Sequence, residues 1–308
     1  MEALTRAVIP SFHRQVLDGR LPDWLEAEWW HDPEEMVALA PNAEIGWFDL
    51  HQKPPVLQSI ALATQMRWLN TAYAGVDWMP LAELDRREVQ LTCGSGLTAS
   101  QVAEYAVMGL LAAAKGFPDI VRAQDRAEWL PMPPGERDLA GSRALLLGYG
   151  AIGQAIGRIL EGFGVEVEPV RSKDSGWRER LGSFDWIVMS LPGTEQTRGM
   201  IGAEEIAALR PDAVVVNCGR ADTLDQDALV EALAEKRIGG AVLDVTTPEP
   251  LPPEHPLWSL PSAIITMHLS GIPTQEAHAR AAERFLRNCA LFREGKPLEA
   301  QVDLVRGY

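Results

Sequence analysis

The stretch LLLGYGAIGQAIG, residues 145–157, decides the fold. An apolar strand runs into Gly148, Gly150 and Gly153, and a helical pattern follows at once. A dinucleotide site demands glycines here for a tight turn, a close approach of the backbone to a pyrophosphate, and close packing of helix on strand. The helix N-terminus offers unpaired N–H groups and a partial positive charge to the phosphates. A methyltransferase or a purely structural turn can share this spacing, but the flanking strand and helix favour dinucleotide binding.

Strands and helices alternate on the C-terminal side of the chain from Ala144 onward. The strand-like segments are ALLLG, VEVEPV, FDWIVMSLP, AVVVNCG, GAVLDV and AIITMH, with helical patterns between most of them. This alternation predicts a parallel, doubly wound sheet. Residues 1–95 mix short apolar runs with proline-bearing connections, which indicates a second, smaller unit. We therefore expect an α/β protein of two domains, a Rossmann domain over 96–273 and a flavodoxin-like substrate domain formed by 1–95 and 274–308.

Composition limits the partners of the chain. The formal net charge of -15 argues against nucleic acid, because phosphate binding needs a basic footprint. No window approaches the roughly 18 apolar residues that span a bilayer. The three cysteines, Cys93, Cys218 and Cys289, form no CxxC pair, so neither a disulfide framework nor a zinc site is indicated. We expect a cytoplasmic protein with no nucleic-acid, membrane or metal partner.

A basic triplet follows the second strand of the nucleotide pattern. The acidic residue expected about 20 residues after the glycines, where it would bind ribose hydroxyls, is absent. Arg171, Ser172 and Lys173 stand there instead. A solvated loop is the ordinary interpretation, whereas two cations and a hydroxyl suit the 2′-phosphate of NADP. With Glu168 and Asp174 close enough to weaken the preference, we predict that NADP(H) is preferred and NAD(H) possible.

These motifs resemble the D-2-hydroxyacid dehydrogenase family, most closely its glyoxylate and hydroxypyruvate reductase branch. The resemblance runs from about Ala74 to Thr274, and the first 70 residues match poorly. Ala221 stands where the family usually has glycine, and Met267 where it usually has proline. The matching motifs are AGVDWM (74–79), GSGLTASQVAEYAVMGLLA (94–112), DLAGSRALLLGYGAIG (138–153), SLPGTEQTRGMI (190–201), VNCGRADTLDQDAL (216–229), LDVTTPEPLPPEHPLW (243–258) and ITMHLSG (265–271).

The resemblance implies where the ligands bind. Backbone N–H groups of Ala74, Gly75 and Val76 would meet the substrate carboxylate, with a structural turn as the alternative. A homodimer through the nucleotide domain is implied, using segments near residues 100–140. Trp47 and Trp129 are candidates for the pocket wall, with simple packing as the alternative. The cofactor-binding residues would be Gly148, Tyr149, Gly150, Ala151, Ile152, Gly153, Arg171, Ser172, Lys173, Leu191, Pro192, Thr197, Cys218, Gly219 and Asp244.

Three side chains supply the chemistry for reducing a 2-keto acid. The reaction needs a hydride donor, an acid for the forming alkoxide, and a cation for the carboxylate and carbonyl. Arg220 follows the apolar run AVVV, and its planar guanidinium suits both oxygens, although an isolated arginine more often snorkels to the surface. His268 would be the acid, and Glu249 would orient it and raise its pKa.

We therefore expect NADPH-dependent reduction of glyoxylate, hydroxypyruvate or a similar small 2-keto acid to the D-2-hydroxy acid. The alternative is a nucleotide-sensing, corepressor-like binding protein on the same scaffold, which needs no proton donor. Glu249 argues against the possibility that the chain is a formate dehydrogenase, since that branch of the family has an amide side chain at the corresponding position. The basic triplet argues against the alternative that the chain binds S-adenosylmethionine.

Overall fold

The computed structural model describes residues 4–307. These residues form two compact units. The first unit holds the described residues up to Thr98 together with those from Pro273 onward, and the second is Ala99–Ile272. Each unit contains one wholly parallel sheet flanked by helices, so the predicted α/β fold with two parallel sheets is confirmed.

The first unit is built on five parallel strands in the order β2-β1-β3-β4-β5, which is the flavodoxin-like order. Its strands are β1 (Thr5–Pro10), β2 (Leu25–Trp30), β3 (Ile45–Trp47), β4 (Trp68–Asn70) and β5 (Gln90–Thr92). Its helices are α1 (Arg14–Leu17), α2 (Pro33–Leu39), α3 (Lys53–Leu62), α4 (Leu81–Arg86) and, after the second unit, α10 (Gln275–Arg293). Short 3-10 helices lie at Ser11–His13 and Ala40–Asn42.

Aromatic packing joins α10 to this sheet. The rings of Trp68 and Phe285 stack with centroids 4.9 Å apart, and Trp47 lies 5.2 Å from Phe285. All three side chains are fully buried. Beyond α10 the chain returns to β5, where the Val302 N–H donates to the Leu91 carbonyl. The C-terminal segment thereby covers an edge strand that would otherwise expose unpaired backbone groups.

The second unit is built on six parallel strands in the order β11-β10-β9-β8-β6-β7. Its strands are β6 (Arg143–Leu147), β7 (Glu166–Val170), β8 (Trp186–Met189), β9 (Val214–Asn217), β10 (Gly240–Leu243) and β11 (Ala263–Ile265). Its helices are α5 (Ala99–Lys115), α6 (Phe117–Asp125), α7 (Ala151–Gly162), α8 (Ala203–Ala207) and α9 (Gln226–Ala234), with 3-10 helices at Arg178–Ser183, Ala221–Thr223 and Pro256–Trp258.

Two hydrophobic layers cover the faces of the second sheet. Within β6, Leu145 and Leu147 belong to one layer, whereas Ala144 and Leu146 belong to the other. A strand buried on both faces reads as a continuous apolar run, and this accounts for ALLL and AVVV in the sequence. β6 pairs with β7 on one side and β8 on the other, so the order of the sheet reverses beside β6. Ligands of open α/β sheets bind at this kind of reversal, outside the carboxyl ends of the strands.

Within residues 4–307, no helix combines the length and the apolar character needed to cross a membrane. The same part of the chain contains no group of three or more His, Cys, Asp or Glu side chains that could hold a metal ion.

Candidate active site

The predicted site residues of the second unit all lie beyond the carboxyl ends of its strands. Parallel strands end at the same edge, so loops distant in sequence become neighbours there. Gly148 follows β6, Arg171 follows β7, and Leu191 follows β8. The remaining predicted residues are Tyr149, Gly150, Ala151, Ile152 and Gly153 at the start of α7, Ser172 and Lys173 after β7, Pro192 and Thr197 after β8, Cys218, Gly219 and Arg220 after β9, Asp244 and Glu249 after β10, and His268 after β11.

The glycine-rich turn fits a dinucleotide. Gly148 has φ of 89°, a conformation that side chains other than glycine rarely adopt. A Cβ on Gly153 would lie 2.2 Å from the Gly148 carbonyl oxygen, so the helix reaches the strand only because this residue is glycine. A Cβ on Gly150 would meet no atom within 4 Å, which leaves open space in front of the N-terminus of α7. Backbone N–H groups and the helix dipole there suit a pyrophosphate.

The basic triplet after β7 is organised by local contacts. The Arg171 guanidinium lies over the Tyr149 ring, 4.9 Å from its centroid. The Asp174 carboxylate accepts from the Arg171 backbone N–H at 2.7 Å, and Glu168 is paired with Arg180 at 2.6 Å. Both neighbouring acids are therefore engaged in contacts of their own. An arginine held against Tyr149 at this edge suits an anionic group of a nucleotide.

His268 and Glu249 form an ion pair beyond β10 and β11. His268 Nδ1 lies 2.9 Å from Glu249 Oε2, and Glu249 Oε1 accepts from the Thr246 N–H at 3.1 Å. The hydrogen bond to Glu249 raises the pKa of His268, against burial and the charge of Arg220, which lower it. Burial raises the pKa of Glu249. The hydrogen bonds from His268 and Thr246, together with the charges of His268 and Arg220, lower it by more, so the net shift of this pKa is downward. With Nδ1 directed at Glu249, protonated His268 keeps a second N–H, at Nε2, for another partner.

Asp244 organises the loop that carries His268. Its buried carboxylate accepts from Thr266 Oγ1 at 2.6 Å and from the Ser270 hydroxyl. Met267 and His268 both have left-handed backbones, with φ of 54° and 57°. Proline, with φ fixed near -65°, cannot adopt this conformation. Met267 therefore replaces the usual proline in a loop whose backbone excludes proline.

The loop after β9 is held from both sides. The Arg220 carbonyl accepts from Asn217 Nδ2 at 3.1 Å and from Thr223 Oγ1 at 2.6 Å. A Cβ on Gly219 would lie 2.6 Å from Leu191 backbone atoms, so this glycine allows the loops after β8 and β9 to touch. Ala221 opens a 3-10 helix without a positive φ, so the glycine usual in the family is not required there.

Smaller contacts fix two further predicted cofactor residues. Thr197 Oγ1 donates to the Pro192 carbonyl at 2.6 Å, which closes the loop after β8. Cys218 Sγ lies 3.4 Å from the Met189 carbonyl oxygen, and burial raises the pKa of its thiol to about 12. The thiol therefore stays protonated at neutral pH and acts as a packing group.

In the first unit, Ala74, Gly75 and Val76 lie in the loop after β4. Within residues 4–307, none of their three backbone N–H groups donates a hydrogen bond to another protein atom. Asp49, beyond β3, accepts from Thr71 Oγ1 at 2.5 Å and from the Ala72 N–H at 2.7 Å, and so holds the start of this loop.

Sequence reasoning did not find Asp49. Burial raises the pKa of Asp49, against the hydrogen bonds it accepts. An acid directly after the short apolar run IGWF was the available signal.

Of the two candidate tryptophans, Trp47 is fully buried and donates from Nε1 to Asp49 at 2.6 Å, whereas Trp129 is 94% exposed.

A doubly wound sheet with a glycine-rich turn, an arginine and a histidine–carboxylate pair is typical of the class of dinucleotide-dependent oxidoreductases. Comparison with known proteins narrows the class. The sequence model described as "D-isomer specific 2-hydroxyacid dehydrogenase, NAD binding domain" matches residues 107–270, more than half of the 308-residue chain. The chain belongs to the D-isomer specific 2-hydroxyacid dehydrogenase family, and the predicted family and enzyme class are confirmed.

Individual relatives agree with this assignment. The glyoxylate reductase/hydroxypyruvate reductase of Mus musculus is 31% identical over 225 residues, covering 68% of this chain and 69% of that protein. A family member from Aeromonas salmonicida has a solved structure that is 29% identical, with a TM-score of 0.86 over 98% of this chain and 100% of that one. Another, from Xanthobacter autotrophicus, was solved in complex with NADPH and MES and is 26% identical, with a TM-score of 0.80 over 99% and 100% of the two chains.

Replacing Glu249 by glutamine should lower the pKa of His268. The amide removes the negative charge that favours the imidazolium, while burial and the charge of Arg220 continue to oppose it. We expect an NMR titration of His268 to show its midpoint at lower pH in Glu249→Gln than in the parent. Glu254→Gln, an exposed change in the same loop, is the matched control and should leave the midpoint in place. An unchanged midpoint in Glu249→Gln would mean that the pair is not coupled.

Proposed function

We propose that this protein catalyses the NADPH-dependent reduction of a small 2-keto acid, such as glyoxylate or hydroxypyruvate, to the D-2-hydroxy acid, with His268 as general acid. The observation that carries the proposal is the 2.9 Å contact between His268 and Glu249, whose pKa values both respond to Arg220. A dinucleotide-sensing protein needs the glycine-rich turn but no proton donor. The complete set of three side chains therefore supports catalysis.

In the proposed mechanism, Arg220 binds the substrate carboxylate and keto oxygen through its planar fork and polarises the carbonyl. The glycine-rich turn of Gly148, Gly150 and Gly153 would hold the reduced nicotinamide cofactor, which would supply the hydride for the carbonyl carbon. His268 donates the proton on Nε2 to the oxygen as it becomes an alkoxide. Glu249 keeps His268 protonated and turns its ring so that Nε2 faces away from the carboxylate. The free N–H groups of Ala74, Gly75 and Val76 would bind the substrate carboxylate, which makes the first unit the substrate domain.

Replacing His268 by alanine should reduce kcat for keto-acid reduction by about 10² to 10⁴, the usual cost of a lost general acid. NADPH affinity should stay nearly unchanged. Arg220→Lys should be almost as damaging as Arg220→Ala, because a point charge cannot reproduce bidentate binding. Steady-state kinetics with glyoxylate and fluorescence titration with NADPH measure both effects. The control is His31→Ala, which removes an exposed histidine after β2 and should not change the rate. Near-normal turnover in His268→Ala would rule out the assigned acid.

The cofactor preference rests on the residues after β7. A 2′-phosphate carries close to two negative charges near neutral pH and accepts charge-assisted hydrogen bonds. Arg171, Ser172 and Lys173 offer two cations and a hydroxyl at the place where a carboxylate would favour NAD. Glu168 forms an ion pair with Arg180, and the Asp174 carboxylate accepts from the Arg171 backbone N–H. Both acids therefore have partners of their own, which reduces their repulsion of a bound 2′-phosphate. The exposure of these side chains reduces what each contact contributes.

The parent should use NADPH more efficiently than NADH by about 10²-fold, because charged hydrogen bonds at this exposed rim are only partly screened. Arg171→Ala should remove most of that preference by raising KM for NADPH while leaving NADH kinetics unchanged. Arg158→Ala removes an exposed arginine on α7 and should alter neither cofactor. The measurement is kcat/KM for both cofactors with one keto acid. Equal use of the two cofactors by the parent would make the triplet an ordinary solvated loop.

We further propose that the chain forms a homodimer through α6 and the segment that follows it. This face exposes several large apolar side chains, and exposed apolar patches of this kind mark association sites. Trp129, almost fully exposed, is its most prominent member. The others are Phe117, Ile120, Val121 and Met132.

Trp129→Glu should shift the protein toward monomer, because a charge at the centre of an apolar contact is left without a partner. Analytical ultracentrifugation of the parent should give a mass near twice 33.8 kDa, and of Trp129→Glu a lower mass. Phe163→Glu, an exposed apolar site at the end of α7, is the control and should sediment like the parent. A monomeric parent at micromolar concentration would contradict the dimer.

A further inference from the structure

Two histidines of the first unit each have a buried ring nitrogen without a hydrogen-bond partner in the described part of the chain. His13 ends the 3-10 helix after β1 and is 1% exposed, and His278 lies in the first turn of α10. Their ring centroids are 5.5 Å apart at an interplanar angle of 65°. His13 Nε2 and His278 Nδ1 are both buried without a hydrogen-bond partner in the described part of the chain. A buried polar atom without a partner is costly, so two of them side by side indicate a place for a polar ligand group.

The surroundings of the two rings are aromatic and uncharged. The Trp47 ring lies 4.1 Å from that of His13, and the Phe12 ring meets His278 edge-on at 5.1 Å. Burial, with a smaller contribution from His278, lowers the pKa of His13 to about 3, and burial also lowers the pKa of His278. Both rings are therefore neutral near pH 7. No carboxylate, lysine or arginine contributes to these shifts. Phe12 is half exposed, so the group reaches the surface of the unit at this point.

A continuous series of contacts joins this pair to the loop of Ala74. Trp47, which packs on His13, donates from Nε1 to Asp49. Asp49 in turn accepts from Thr71 and Ala72, at the start of the loop that presents the free N–H groups of Ala74, Gly75 and Val76. The histidines and the loop therefore lie at the same edge of the five-stranded sheet, beyond β1, β3 and β4.

We propose that His13 and His278 form a subsite that recognises an uncharged hydroxyl group on the carbon next to the keto carbon of the substrate. This inference rests on the proposed function. A neutral imidazole nitrogen is a donor in one tautomer and an acceptor in the other. A hydroxyl group both donates and accepts, so one such group can satisfy both ring nitrogens. A methyl group satisfies neither. A carboxylate would bring a charge to a buried site without a cation, close to Asp49.

The matched pair of substrates is hydroxypyruvate and pyruvate, which differ by this hydroxyl alone. We expect the parent to favour hydroxypyruvate in kcat/KM by about 10- to 10²-fold, because a site built for a hydroxyl discriminates against the analogue that lacks it. His13→Phe and His278→Leu should each remove most of this ratio, by raising KM for hydroxypyruvate with little change in kcat. Kinetics with pyruvate should change much less than those with hydroxypyruvate, and circular dichroism should show that the variants fold.

Conservative variants separate recognition from packing. His13→Gln and His278→Asn keep a donor or acceptor near Nε2 and Nδ1, and they should retain much of the hydroxypyruvate preference. His31→Leu, at an exposed histidine, should keep all of it. An equal kcat/KM for the two substrates in the parent, or an unchanged ratio in His13→Phe and His278→Leu, would overturn the subsite while leaving keto-acid reduction intact.

Calorimetry on the NADP⁺-loaded parent gives a test that does not depend on turnover. D-glycerate should bind about 10- to 10²-fold more tightly than D-lactate, and His13→Phe should abolish the difference. Equal binding of the two acids, or binding of neither, would overturn the subsite. A parent that reduces no 2-keto acid but binds D-glycerate preferentially would refute the proposed function and retain the subsite.

Discussion

The parallel orientation of β6 to β11 is the constraint on which the rest of this molecule depends. Every strand of the second sheet ends at one edge, so six separate loops deliver their side chains to the same place. Close backbone approaches then fix the loops against one another. Gly153 lies against the Gly148 carbonyl, and Gly219 lies against Leu191. A side chain at either glycine would force apart the elements that carry the dinucleotide turn and Arg220.

The pKa values of His268 and His13 shift in opposite directions because the two side chains lie in different environments. His268 has a carboxylate partner at hydrogen-bond distance, so its pKa rises although it is partly buried. His13 is more deeply buried, has no acidic partner and faces another imidazole, so its pKa falls to about 3. The first environment suits a proton donor near neutral pH, and the second suits a neutral group for recognition. Burial lowers the pKa of both histidines, and the hydrogen bond to Glu249 is the largest of the contributions that reverse the direction for His268.

Much of the fold was readable from the sequence because the signals were local. The four inner strands β6, β8, β9 and β10 of the second unit are buried along most or all of their length, so apolar runs and the glycine spacing identified the sheet and its first turn. The placement of Arg220, Glu249 and His268 at strand ends followed from the same pattern. The first unit was harder, since its strands β3, β4 and β5 have only three residues each. Asp49 acts on a loop more than 20 positions away, and His13 meets His278 across most of the chain. No local pattern encodes either contact, and none encodes the left-handed backbone of Met267.

The stereochemistry of the product tests the central claim most directly. The parent protein is incubated with NADPH and hydroxypyruvate, oxidation of the cofactor is followed by absorbance, and the glycerate formed is separated on a chiral column. The account predicts stoichiometric oxidation of NADPH and formation of D-glycerate. Formation of the L-isomer, or no oxidation of either NADPH or NADH with hydroxypyruvate, glyoxylate and pyruvate, would contradict it.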